Sequence, residues 1–177
     1  MSRAFVKESD GEDPAEQLPD PPDDGAPNWI TPEGLAALEE RLRRLSAERR
    51  ELGDGVDERP RALALDRTLR VLRRRLGAAR VVDPRQQPGD RVAFGAEVDV
   101  LTEDDARETY RIVGEDEADI AAGKVSWRSP LAQALYGAAV GDEVVWQRPA
   151  GDRPLEVAAI RYPGRDAAPG GDAPGPG

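Results

Sequence analysis

Leucine recurs at steps of three and four along two neighbouring segments of this chain, and that repeat restricts the fold more than any other feature. Leu35, Leu38, Leu42, Leu45 and Leu52 form one stripe, with Arg49 interrupting it. Ala62, Leu65, Leu69, Leu72, Leu76 and Ala79 form the other. Such spacing places side chains on one face of an α-helix. Thr31 is suited to cap the first helix, Pro32 to open it, and Glu33 to favour its positive end. Gly53 and Gly55 stop it, and a second helix starts near Pro60. Two heptad-like helices joined by ELGDGVDERPRA (51–62) predict an antiparallel coiled-coil hairpin over residues 28–83. At about 1.5 Å per residue, a first arm of about 21 residues would be roughly 31 Å long. Its apolar stripe is narrow, so the hairpin needs support at its base.

After VVDPRQQPGD the period changes to two. RVAFGAEVDVL, ETYRIVG, KVSW, DEVVWQRP and LEVAAIRY read as short strands, with Val92, Phe94, Val98 and Val100 at even spacing. Residues 149–152, PAGD, predict a hairpin turn. SPLAQALYG predicts one short helix, with Ser129 as cap, Pro130 at its first position and Gly137 closing it. Residues 84–162 therefore predict an antiparallel sheet carrying one helix, and the fold class is α+β. Residues 1–27 and 163–177 are rich in Pro, Gly and acids, which predicts two disordered tails.

The 177 residues include no Cys and no His, so thiolate chemistry and imidazole bases or ligands are excluded. Any chemistry must use carboxylates, hydroxyls, Lys, Arg or backbone. No apolar run approaches the roughly 18 residues of a membrane span, and the N-terminus lacks a signal-peptide pattern, which predicts a cytoplasmic protein. The net charge of −10 is unevenly spread. Residues 1–31 carry 2 basic and 8 acidic side chains, residues 32–83 carry 13 and 10, and residues 84–162 carry 9 and 15. Within residues 59–80 there are eight Arg, including Arg67, Arg70, Arg73 and Arg74, against one acid, Asp66. An excess of this size marks a partner-facing surface or a solvated helical face.

The strings Phe94-Gly95-Ala96, Tyr110-Arg111-Ile112-Val113-Gly114, Asp116-Glu117-Ala118-Asp119 and Ser129-Pro130-Leu131 through Gly137 follow the helical segment in order. This series, with Thr31-Pro32-Glu33-Gly34-Leu35 before it, resembles the GreA/GreB family of bacterial transcription elongation factors over about residues 28–162. The resemblance implies a coiled coil carrying a domain similar to the FK506-binding-protein fold, and bacterial core RNA polymerase as partner. The C-terminal domain would dock near the polymerase's secondary channel, with Ser129, Pro130 and Leu131 in the contact region. The coiled coil would enter the channel and meet nascent RNA only indirectly. Acids at its tip would help hold a second Mg²⁺ and a water in the polymerase's own active site. Such a protein is no enzyme itself, binds no cofactor stably and acts as a monomer. Mg²⁺ suits a chain limited to carboxylates, and a pair of metals can activate water in phosphodiester hydrolysis.

The tip departs from the family's Asp-x-x-Glu-Asn-Ala-acid-Tyr pattern. Asp54 falls on the first acid and Asp57 on the second, but Glu58 replaces Asn, Arg59 and Pro60 follow, and the acid-Tyr pair is missing. The returning arm is also several residues short. Two readings stand: Asp54 and Asp57, with Glu58 beside them, keep a reduced role at a shared Mg²⁺, or the acids are a solvated turn and the protein modulates elongation without stimulating cleavage. A short-hairpin polymerase binder resembling the regulator of nucleoside diphosphate kinase is the alternative in the same superfamily. A peptidyl-prolyl isomerase would need an aromatic-lined pocket, for which this domain has few aromatics. Residues 116–119 read as a solvated loop. Trp127 and Trp146 read as half-buried sheet residues, and Trp29 as a staple at the helix start.

Overall fold

Chain entry and exit at the arm are tied together. In the computed structural model, which describes residues 27–53 and 55–165, strand β1 (Asn28–Ile30) leads into helix α1 (Pro32–Glu51). Helix α2 (Arg59–Ala78) returns to strand β2 (Ala79–Val81), which pairs with β1 in parallel, Asn28 opposite Ala79 and Ile30 opposite Val81. The predicted disordered tails, apart from Pro27 and residues 163–165, lie outside the described residues, as does Asp54. The two short strands are too brief to show a periodicity, and the sequence reading lacked them.

The helices form where the leucine spacing and caps predict. Thr31 holds an extended backbone, and its hydroxyl accepts from the Gly34 N–H at 3.0 Å. Near the base Ile30, Leu38 and Leu72 are buried, and Leu35, Leu42, Leu45, Leu76 and Ala79 pack around them. Toward the tip Leu69 and Ala62 continue the seam, both buried. Full burial of a leucine contributes about 1.5–3 kcal/mol, so this seam holds the helices together but adds little beyond it. Arg49 to Asp66 at 2.9 Å and Arg61 to Glu48 at 2.6 Å cross between the helices nearer the tip.

A five-stranded sheet follows, built from β3 (Glu97–Thr102), β4 (Arg107–Val113), β5 (Lys124–Ser126), β6 (Glu143–Trp146) and β7 (Arg153–Arg161), in the order β5-β4-β3-β7-β6. The sheet is mixed, which corrects the expectation of an antiparallel one: β5 runs parallel to β4. Parallel neighbours need a crossover, and residues 114–123 supply it through two 3-10 turns (Glu115–Glu117 and Ile120–Ala122). The first predicted strand is also shorter than expected. Gly95 sits at φ +84° and turns the chain, so the regular strand begins only at Glu97, although Gly95 and Ala96 already bond with Ile112, while Val92 bonds with the loop after α3 through Ala138 and Gly137. Helix α3 (Pro130–Leu135) covers one face, capped by Ser129 as predicted. Its Leu131, Ala132 and Leu135 pack with Val98, Val100, Ile112, Leu155 and Val157 in the core.

Candidate functional site

The arm offers three features: a tip, a basic face and the joint that fixes it to the sheet domain. At the tip a turn leads from Gly55 into α2, with the Glu58 and Arg59 N–H groups both donating to the Gly55 carbonyl at 3.1 Å. Val56, Asp57 and Glu58 are all exposed. The Glu58 carboxylate folds back over the chain, since a Cβ added at Gly53 would lie 2.8 Å from its Oε2. Of the predicted metal-assisting acids, Asp57 therefore faces solvent, Glu58 leans on its own loop and Asp54 lies outside the described residues. No three acidic side chains converge as a metal site among the described residues. The tip as described can offer a metal held elsewhere one or two oxygens, but does not build a cage of its own.

The basic face lies along α2. Arg70, Arg73 and Arg74 are exposed and Arg67 half-buried, and at their spacing they share a face that flanks the leucine seam. In the predicted docking segment Ser129 Oγ accepts from the Ala132 N–H at 3.2 Å and Pro130 is exposed. Leu131 is only 2% exposed and belongs to the core, so its side chain is not available to a partner. The helix position that makes it apolar also turns it inward. Exposed apolar side chains of this domain include Ile120, Tyr136, Val140 and Val145.

The joint was not foreseen from sequence. Within residues 116–119, expected to be a solvated loop, Asp116 and Glu117 instead clasp the arm to the sheet domain, while Ala118 and Asp119 are exposed. Thr31 is fully buried; its N–H donates to Glu117 Oε2 at 2.9 Å and its hydroxyl donates to Glu117 Oε1. The same Oε2 accepts from the Gly114 N–H at 3.1 Å. One carboxylate thus caps the start of α1 from 86 residues away, where the positive end of the helix favours an anion. Beside it Asp116 accepts from Arg75 at 2.8 Å and from Asn28 at 3.2 Å, and Arg111 donates to Glu33. The ring of Trp29 lies 4.4 Å from that of Trp127 and edge-on to Phe94 at 5.9 Å. Glycines permit this closeness. A Cβ at Gly34 would fall 2.1 Å from the Glu117 carboxyl carbon, and one at Gly114 would fall 2.3 Å from the Trp29 carbonyl oxygen. Gly34 was the available signal: glycine inside the first turn of a helix has no local reason to be there.

Buried charge also braces the sheet. Arg161 donates to both oxygens of Asp99 at 2.8 Å and to Glu97, while the Thr109 hydroxyl donates to Asp99. The Arg161 guanidinium chiefly, helped by Thr109 and against the cost of burial, holds the Asp99 carboxyl at about 2. Burial, with the neighbouring Glu108 carboxylate, pushes the Tyr110 phenol up to about 12.

The sequence matches known proteins over most of its length. The family description "Transcription elongation factor, GreA/GreB, C-term" matches residues 87–162. Transcription elongation factor GreB of Neisseria meningitidis serogroup B is 39% identical over 153 residues, covering 76% of this chain and 94% of that protein. The chain belongs to the GreA/GreB family. Transcription elongation factor GreA of Acidiphilium cryptum is 37% identical over 151 residues, covering 75% of this chain and 96% of that protein. Among solved structures, the GreA/GreB factor of Nitrosomonas europaea is 25% identical, covers 76% of this chain and 98% of its own, and has a TM-score of 0.39. The family strings now have places: Thr31 to Leu35 and Gly114 to Asp119 meet at the clasp. Against the Neisseria GreB, 76% of the 177 residues is about 134 residues meeting 153 aligned positions, so about 19 positions have no counterpart in this GreA/GreB chain. The Acidiphilium GreA gives the same shortfall, about 18.

Proposed function

We propose that this protein is a short-armed Gre-type elongation factor, which docks on bacterial core RNA polymerase at the secondary channel and occupies it without supporting strong transcript cleavage. The observation that carries this reading is the shortfall of about 19 positions in a chain that keeps the family's sheet-domain strings in order. We place the missing positions in the arm, whose helices have 20 residues each. Losing about nine residues from each would shorten the reach by about 14 Å. We read the arm as a coiled coil, the sheet with α3 as an FK506-binding-protein-like domain, and the cytoplasm as the site of action. No helix among the described residues is long and apolar enough to cross a membrane.

Ser129 and Pro130 would contribute to docking, while Arg67, Arg70, Arg73 and Arg74 would favour acidic surfaces or passing RNA. Such contacts set on-rate and salt sensitivity more than specificity. Asp57, together with Asp54, would offer oxygens to a Mg²⁺ shared with the polymerase, where the metal would supply activation of the attacking water. A carboxylate on a Gly-rich turn and a retracted arm is poorly placed for that task. The chain would then compete with longer cleavage factors, as a short-hairpin polymerase binder also would.

The test is transcript cleavage on a stalled, backtracked complex. The expected result is weak or no stimulation by the protein, together with inhibition of a cleavage-competent Gre factor in a concentration-dependent manner. Strong stimulation that is lost in Asp54→Ala or Asp57→Ala would overturn it in favour of an active tip. Absence of any association with core polymerase at low salt would remove the partner itself.

A further inference from the structure

We propose that the acidic segment of residues 8–24 is an intramolecular occupant of the arginine face of α2, competing with any polyanion that the face would otherwise bind. The first support is charge. Helix α2 carries seven Arg against Asp66, and the segment 8–24, ESDGEDPAEQLPDPPDD, carries eight carboxylates and no basic residue. The second is vacancy. Arg59, Arg70 and Arg73 are exposed and have no hydrogen-bond or ion-pair partner among the described residues, unlike Arg61 and Arg75, which are held by Glu48 and Asp116. Arg59 and Arg70 lie three helical turns apart and Arg73 one turn further, so they mark a track along the helix rather than one spot.

The third support is where the described chain begins. Pro27 stands immediately before β1, and β1 pairs with β2, the strand that leaves the end of α2. The Asn28 side chain donates to the Arg75 carbonyl at 3.0 Å, which fixes the root of the acidic segment to the last turn of α2. Arg73 and Arg70 lie two and five residues back along the helix from that point, about 3 and 8 Å along its axis. Asp24, Asp23 and Asp20 lie four to eight residues upstream of Asn28, within about 12–25 Å of reach at about 3.1 Å per residue for a proline-rich stretch. Residues 8–16 have length enough to continue as far as Arg59. Each exposed pair is weak on its own. Tethering at the root sets an effective concentration on the order of millimolar, which allows many weak pairs to act together. The contact itself does not depend on polymerase; its consequence there rests on the function proposed above, where the segment would lower engagement of the arm with anionic surfaces.

The test uses the full chain, which contains no native cysteine and so accepts a single label. A nitroxide is attached at Ala15→Cys, and amide signals along α2 are recorded by NMR at about 50 mM and about 500 mM salt, where screening lengths differ severalfold. The expected result is broadening of the Leu69–Arg74 signals at low salt, relieved at high salt and relieved in Arg70→Glu/Arg73→Glu. Sharp α2 signals at low salt, or equal broadening in the charge-reversed variant, would overturn the proposal. Competition is read with a short fluorescein-labelled single-stranded RNA as probe. Asp20→Asn/Asp23→Asn/Asp24→Asn in the full chain should bind it about threefold to tenfold more tightly, as expected when a face covered most of the time is released. Unchanged affinity would overturn the competitor role, whatever the polymerase assay shows.

Discussion

Glu117 and Gly34 act as one unit at the clasp, and this coupling can be measured. Glu117→Ala would leave the buried N–H of Thr31 and the N–H of Gly114 without their acceptor, a loss of about 2–3 kcal/mol. Gly34→Ala would drive a Cβ into the Glu117 side chain, which could move only by giving up those bonds. Each single variant should therefore lower the urea midpoint. In the Glu117→Ala background, Gly34→Ala should become neutral or stabilising by up to about 1 kcal/mol, because alanine is the better helix former once the obstacle is gone. Additive losses in the double variant would refute the coupling. This contact also shows where sequence reading stops. The caps at Thr31 and Ser129 were legible because cap and helix are neighbours in the chain. The carboxylate that completes the first cap comes from the far side of the molecule, and nothing beside Glu117 in sequence points to Thr31. Leu131 shows the converse. Its string was recognisable, but only packing reveals that this side chain faces the core.

At the level of elements, helices were read more accurately than strands, for a physical reason. The leucine stripes of α1 and α2 repeat over many turns, so their period and their glycine and proline boundaries agree. Strands here are short, and their edges are set by partners: Gly95 delays the start of the first predicted strand by its positive φ, and β5 joins β4 in parallel only because the crossover carries it there. Cross-strand charge then fixes β3 between its neighbours. Asp99 on β3 is held by Arg161 on β7 and Thr109 on β4. Its carboxyl is at about 2 in the fold against a usual value of 3.8. A group with a lowered folded pKa adds stability above its unfolded value and loses it as pH falls through the folded one. Stability should therefore decline between about pH 4 and pH 2, and Asp99 should contribute roughly 2 kcal/mol of that decline. Thermal unfolding across this range should show a shallower slope for Asp99→Asn, with that variant already less stable at pH 7. An unchanged slope would mean that other carboxylates govern acid unfolding.

For the whole molecule, the clasp and the paired β1 and β2 make the arm an excursion that starts and ends at one place. Its direction is set at the base by Glu117, Asp116 and the contacting rings of Trp29 and Trp127, none of which lies near the tip. Reach and direction are therefore separate properties of this fold. Inserting one heptad into each helix, in register with the leucine seam, should carry the tip about 10 Å further without altering the sheet domain. Fluorescence energy transfer between labels at Val56→Cys and Val140→Cys would report the added length. If the short arm is what limits activity, the lengthened protein should stimulate cleavage on a backtracked complex more than the natural chain does. An arm that lengthens by this distance yet gains no cleavage would place the defect in the tip residues instead.

A closed excursion of this kind is also a replaceable cassette. Residues between Thr31 and Ala79 can change in number while the two chain ends stay hydrogen-bonded side by side, so the sheet domain need not readjust when the arm does. Selection could thus shorten or lengthen a probe by matched steps of seven on each strand of the hairpin, each step leaving a folded protein behind it.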